Sequence, residues 1–587
     1  MNFFKTVLAS CLGVVLASFL VVFLGSMVIG SLVASGDSAK KVAANSILEI
    51  NFGKPIPEKT NNVATDPLSF ETESVLGLHD MVAAIEHAKE NDKIKGIYLD
   101  LSAAPGGRAT SSVLRDALVD FKESGKFILA YSIAYSQGTY YMASVADEVL
   151  MHPLGGVDFL GFSAQIPFFK DMLDRLGIKM QVYYAGQFKS ATEPFRRNEM
   201  SDQNRLQTRQ YLEGMYQIYL DDISESRGIP ANELRAIADG YKLRKAEDAL
   251  TYKFVDALVY HDQVRSNLKD RIGLDVDDKL EMIGLGDYQK GNKNKIDFKI
   301  KDKIAVVYAE GDLVDGKGEE GNIGGDKYAK IIRKIREDKK VKAIVLRVNS
   351  PGGSVVASDL IWRELILAKE AGTPIVVSMG DLAASGGYYI SCMADSIFAE
   401  PNTITGSIGV FGMIPNIQTM LDEKAGITFD SVKTGPYSHG ISPFFAITKE
   451  EGKVIQTSID DIYDLFLTKV AEGRGMTKGA VHEVAQGRVW TGEKALEIGL
   501  VDAMGGMDEA LAAAAEKANL ESYRVSEYPK VKEPIEALIE KLTGQDKKAK
   551  AMLTEEVKAV FPEYKYLEKI RSMKGPQARL PFVVEDF

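Results

Sequence analysis

Two residues far apart in the chain could act together as a nucleophile and its base. Ser385 sits in the run Ala383-Ala384-Ser385-Gly386-Gly387, after an apolar strand-like stretch and before Tyr388-Tyr389. That order reads as a tight turn into a helix with the hydroxyl at the helix N-terminus, where backbone N–H groups can hold a developing oxyanion. Lys189 follows Tyr183, Tyr184, Ala185, Gly186 and Phe188. Apolar flanks disfavour an ammonium and lower a lysine pKa by desolvation. A serine needs a base to attack at neutral pH, and a neutral lysine can supply one. Gly353, closing Pro351-Gly352-Gly353, and Gly386 are the expected oxyanion donors, because glycine lets a backbone N–H approach a substrate closely.

An internal repeat singles this pair out. Residues 94–101 read IKGIYLDL and lead to Pro105-Gly106-Gly107; residues 341–348 read VKAIVLRV and lead to Pro351-Gly352-Gly353. A helical stretch follows each, at 111–124 and 358–371, and then a second strand, at 127–133 and 374–379. Residues 137–150 (QGTYYMASVADEVL) match 385–398 (SGGYYISCMADSIF), Ile166-Pro167 match Ile414-Pro415, and Pro194-Phe195 match Pro443-Phe444 after one inserted residue. Late in each copy, 246–258 echo 492–504. Two matched positions change character: Ser385 corresponds to Gln137, and Lys189 to Ser438. Each copy therefore keeps one half of a possible catalytic pair.

The elements that position the pair follow from this repeat. Its period is too long for a solenoid and implies two copies of one α/β domain. Near-continuous apolar strands alternating with helices imply parallel sheets covered on both faces. The expected organisation is an anchor at 1–42, a first copy at 43–289 carrying Lys189, and a Lys/Asn-rich linker at 290–303. A second copy at 304–525 carries Ser385, and a helical extension and tail at 526–587 have no assigned chemistry.

The formal net charge of −11 over 587 residues argues against nucleic acid as a partner. None of the six histidines falls in an HExxH or Cys/His zinc pattern, so no metal site is expected. His439, beside Ser438, is the rival base and reads as a remnant-loop residue. Cys11 and Cys392 are poorly placed to pair. Residues 7–34 are almost wholly apolar, with no charge between Lys5 and Asp37. A cleaved signal peptide has an apolar stretch of ~7–15 residues, so this run reads as an uncleaved membrane span. Lys5, Lys40 and Lys41 flank both sides and leave its orientation open.

Asn349 to Gly353 (NSPGG), residues 378–389 (SMGDLAASGGYY), residues 405–410 (TGSIGV) and residues 186–195 (GQFKSATEPF) resemble the signal peptide peptidase A (protease IV) family in its long, double-domain form. The resemblance covers most of the chain. It implies two Clp/crotonase-like domains with repeated ββα units, Ser385 as nucleophile, Lys189 as general base, Gly353 and Gly386 as oxyanion donors, and Ser407 holding the lysine. It also implies a bowl-shaped homotetramer, anchored by a single span on the outer face of a bacterial inner membrane. Its substrates would be cleaved signal peptides and other short apolar peptides, with no cofactor required. Two other classes are compatible with parts of the sequence. A crotonase-type acyl-CoA enzyme would need neither Ser385 nor Lys189 and no membrane span; a non-catalytic membrane scaffold would not need to retain both.

Overall fold

The computed structural model describes Gly13 and residues 41–61, 75–292, 297, 299–530 and 575–579. The apolar run expected to anchor the chain lies outside these residues, Gly13 apart, as does Cys11. Among the described residues no helix is long and apolar enough to cross a membrane.

In the first copy, strands β1 (Ser46–Asn51), β2 (Ile94–Asp100), β3 (Phe127–Ser132) and β4 (Glu148–Met151) pair in parallel. Strand β5 (Lys179–Ala185) leaves this sheet. Strands β6 (Ala257–Leu258) and β7 (Met282–Gly284) complete it in the order β6-β4-β3-β2-β1-β7. Ile97 and Leu99 pack with Ile85 and Leu118 of the helices Leu78–Glu90 and Arg108–Lys122 on one face. Tyr98 and Leu129 pack with Val264 and Leu268 of helix His261–Arg271 on the other. Side chains alternate across a strand, so a sheet buried on both faces needs apolar residues at successive positions. This is why the strands read as continuous apolar runs.

The second copy opens with β8 (Lys303–Glu310), β9 (Asp312–Val314), β10 (Asn322–Gly324), β11 (Val341–Ser350) and β12 (Gly352–Ser354). It continues with β13 (Ile375–Ala384), β14 (Ser396–Ala399), β15 (Ile404–Gly406) and β16 (Val410–Asn416). Then come β17 (Val489–Thr491), β18 (Ala503–Met504) and β19 (Arg524–Tyr528). Strand β11 lies between β8 and β13, parallel to both. Strand β13 forks: Val376–Ser378 pair with β14, and Leu382–Ala384 pair with β15. Strand β19 pairs with β8 and crosses the expected boundary after residue 525.

A third sheet joins the copies, in the order β10-β9-β12-β20-β16-β5. Strand β5 runs antiparallel to β16, from Ala185 opposite Val410 to Lys179 opposite Asn416. Its β20 is Gln577–Arg579, from the region to which the sequence assigned no role.

Buried charges also cross between the copies. Glu58, in the segment after β1, accepts from Arg347 Nε at 2.7 Å and from Asn349 Nδ2 at 2.9 Å. Glu58 and Arg347 are 4% and 3% exposed, so each depends on the other for its counter-charge. Asp381 accepts from the Thr110 N–H at 3.0 Å and its hydroxyl at 2.6 Å. Breaking a buried pair by deleting one partner typically costs about 3–5 kcal/mol. Glu58→Ala is expected to lower unfolding stability by that amount, read as a drop in the denaturant midpoint. An unchanged midpoint would show that the arm carrying Glu58 is not structural.

Candidate active site

Lys189 reaches Ser385 because of the third sheet. Strand β5 ends at Ala185, paired with Val410, and the chain then turns through Gly186 toward copy two. The Phe188 N–H donates to the Gln486 carbonyl at 2.8 Å. Gln207 Nε2 donates to the Phe188 carbonyl at 3.0 Å and to Ser190 Oγ at 2.9 Å. A Cβ at Gly487 would lie 2.6 Å from Lys189 Cβ, so the lysine stem is packed directly against a residue of the other copy.

Ser385 stands between β13 and the helix Gly386–Ser391. Its φ is +56°, a conformation uncommon outside glycine, and its N–H donates to the Gly406 carbonyl at 2.8 Å. Backbone strain of this kind, about 1–3 kcal/mol, persists only where the surroundings over-determine it. Here a four-residue-spaced helical bond, Tyr389 N–H to the Ser385 carbonyl at 2.8 Å, holds the other side.

Lys189 Nζ lies 2.8 Å from Ser385 Oγ, 3.0 Å from Ser407 Oγ and 3.0 Å from the Ser407 carbonyl oxygen. Lys189 is 1% exposed, and Ser385 and Ser407 are fully buried. Burial alone holds the amine well below the ordinary lysine value of 10.5. Among the described residues no carboxylate lies within ion-pair distance of it. A neutral amine has two hydrogens and one lone pair. Donation to the two Ser407 oxygens leaves the lone pair for the Ser385 hydroxyl proton, which is the polarity a general base requires.

The expected oxyanion donors stand beside this contact. A Cβ at Gly386 would lie 3.2 Å from the Gly353 nitrogen, so the two N–H groups belong to one small region. Gly353 has φ +155°, and a Cβ there would meet the Leu313 carbonyl at 2.1 Å. Only glycine fits that close passage between strands. Asn349 Oδ1 accepts from the Leu382 N–H at 3.0 Å, tying the strand that leads to Gly353 to the strand that leads to Ser385.

The five residues expected from the sequence are thus brought together from both copies. The positions that lost their chemistry are occupied differently. Gln137 Oε1 accepts from the N–H groups of Leu160 and Gly161 at 3.1 and 2.9 Å, so its amide is absorbed by backbone. Ser438 is exposed and donates to the Gly435 carbonyl at 3.0 Å. His439, in the same turn, stacks on Phe445 with ring centroids 4.1 Å apart. Sequence reasoning missed Glu58, Gln207, Gly487 and the strand β20. None of them carries a motif; only pairing across the repeat would have shown them.

Peptidase family S49 matches residues 120–275 and 367–521, one stretch in each copy. "Protease 4" of Salmonella typhi is 40% identical over 494 residues, 83% of this chain and 78% of that one. "Protease 4" of Haemophilus influenzae is 39% identical over 441 residues, 74% and 71% of the two chains. "Serine protease SPPA, chloroplastic" of Arabidopsis thaliana is 33% identical over 464 residues, 78% and 68%. With two tandem α/β copies and a buried hydroxyl–amine contact between them, these relatives define the class as serine peptidases. The chain belongs to peptidase family S49, and the likeness of its motifs to signal peptide peptidase A holds across most of its length.

Two outcomes follow from this geometry. Because only the neutral amine can accept a proton, kcat/KM is expected to rise with pH along a limb whose midpoint lies below 10.5. Over the same window stability rises with pH, since the unfolded chain binds the proton that the folded amine has lost. A limb at or above the ordinary lysine value would contradict the assignment. Ser407→Ala removes one of two bonds orienting the amine and should lower kcat by about 2- to 10-fold, or ~0.5–1.5 kcal/mol. Steady-state kinetics showing no change would remove Ser407 from the site.

Proposed function

We propose that Ser385 and Lys189 form a catalytic dyad that hydrolyses short apolar peptides, including signal peptides released when preproteins are processed. The observation that carries this reading is the 2.8 Å contact between a buried amine, whose pKa desolvation lowers, and a hydroxyl 196 positions away in the other copy. Lys189 takes the Ser385 proton as Oγ attacks the peptide carbonyl. The oxyanion forms against the Gly353 and Gly386 N–H groups. Lys189 then gives its proton to the departing amine as the peptide C–N bond breaks. Water, activated by the same amine, releases the acyl group and restores the hydroxyl. Ser407 keeps the amine oriented throughout.

The cellular setting belongs to the same proposal. The apolar run 7–34 is long enough to cross a bilayer and would hold the peptidase beside the lipid from which apolar peptides emerge. The resemblance to signal peptide peptidase A favours a single span in a bacterial inner membrane, the catalytic part outside, and a homotetramer. The repeated strand–helix units favour two Clp/crotonase-like domains at 43–289 and 304–525, joined at 290–303, and the long apolar run favours the anchor at 1–42.

A fluorophosphonate or another serine-reactive probe tests the dyad. Labelling is expected in the wild type and lost in both Ser385→Ala and Lys189→Ala, with peptide hydrolysis falling by about 10²–10⁴ in Lys189→Ala. Undiminished labelling in both variants would rule the dyad out.

A further inference from the structure

Strands β12 and β16 face each other one strand apart, and the strand between them is β20. It runs antiparallel to β12, with Arg579 opposite Gly352, Ala578 opposite Gly353 and Gln577 opposite Ser354. On its other edge Gln577 pairs with Phe411 of β16. Two facing edges recognise an inserted strand through main-chain hydrogen bonds, which any extended peptide can make; side-chain pockets then decide which peptide.

The register is informative. Gly353, opposite Ala578, is one of the two expected oxyanion donors. A Cβ at Gly352 would lie 2.1 Å from the Ala578 carbonyl oxygen and 2.7 Å from the nitrogen of Gly386, the other donor. Ala578 is paired with Gly353, and its carbonyl oxygen and the Gly386 nitrogen both border Gly352, so this is the β20 carbonyl beside the two expected donors, and the bond beyond it is Ala578–Arg579. The Ala578 methyl is 1% exposed and belongs to the same core cluster as Leu313, a closed surrounding suited to a small side chain. The Arg579 guanidinium forms an ion pair with Asp312, the first residue of β9, with side chains 6% and 28% exposed. A mostly enclosed, charge-assisted pair discriminates strongly between a cation and an anion at that place.

We infer that the β12–β16 slot selects extended peptides with a small residue at the cleaved carbonyl and a lysine or arginine immediately after it, and that Asp312 is the residue that reads the cation. This rests on the peptidase site proposed above. Nothing in the sequence pattern marks Asp312, which follows Gly311 and opens β9.

The test uses the full chain and two synthetic octapeptides, Gly-Pro-Gln-Ala-Arg-Leu-Pro-Phe and the same peptide with glutamate in place of arginine. Products are identified by mass spectrometry. The expected result is a cut between alanine and the following residue, with kcat/KM about tenfold higher for the arginine peptide. In Asp312→Asn the ratio between the two peptides should fall toward one. Equal rates in the wild type, a ratio unchanged in Asp312→Asn, or a cut at another bond overturns the inference. If that cleavage is still lost in Ser385→Ala, the peptidase site stands without it; cleavage that survives Ser385→Ala overturns the site itself.

Discussion

The site depends on burying a lysine amine that, among the described residues, has no carboxylate within ion-pair distance, so that desolvation lowers its pKa. Among the described residues Lys189 Nζ bonds to hydroxyl and carbonyl oxygens, and the side chain is buried. A carboxylate beside it would stabilise the ammonium and cancel the basicity that a serine requires. Burial without a partner is costly, and the fold offsets that cost elsewhere. The loop carrying the lysine is packed against Gly487 and bonded to Gln486 and Gln207, so the side chain has no wet alternative to adopt.

The division of the pair between two copies explains the architecture around it. A single copy holds only one member of the proposed pair, so in that proposal the interface between copies is part of the site. The β5–β16 ladder carries Lys189 to Ser385, and the buried Glu58–Arg347 pair fixes the strands on which Ser385 and Gly352-Gly353 are mounted. Glu58 also reaches Asn349, whose side chain joins those two strands just before they diverge. Charge networks that would be weak evidence of stability on a surface act here as alignment, because their partners sit on the strands that end in the site. Membership in a peptidase family also accounts for the retained pair better than a scaffold would, since a scaffold has no use for a desolvated lysine.

Much of this was legible in the sequence. The strands expected at 94–101 and 341–348 are found at Ile94–Asp100 and Val341–Ser350, because a strand buried on both faces announces itself by a continuous apolar run. The helix expected at 358–371 starts earlier, at Val355, because Ser354, directly after Pro351-Gly352-Gly353, caps it by accepting from the Ala357 N–H. Ser385 and Lys189 were visible through the reciprocal change at Gln137 and Ser438, a comparison the repeat makes possible within one chain. The third sheet was not visible. Its strands are short, they come from five separate regions, and pairing of edges leaves no local periodicity. Glu58 sits between prolines and a lysine in a stretch that reads as surface loop, and Gln577–Arg579 is too brief to announce a strand.

The most direct measurement is the protonation state of the Lys189 amine itself. In the folded protein with ¹³C,¹⁵N-labelled lysine, Lys189 can be assigned by comparison with Lys189→Arg and followed by NMR across pH. The account predicts an amine that titrates well below the value of 10.5 that an ordinary lysine shows. A Lys189 resonance that stays charged until the pH approaches that ordinary value would contradict it.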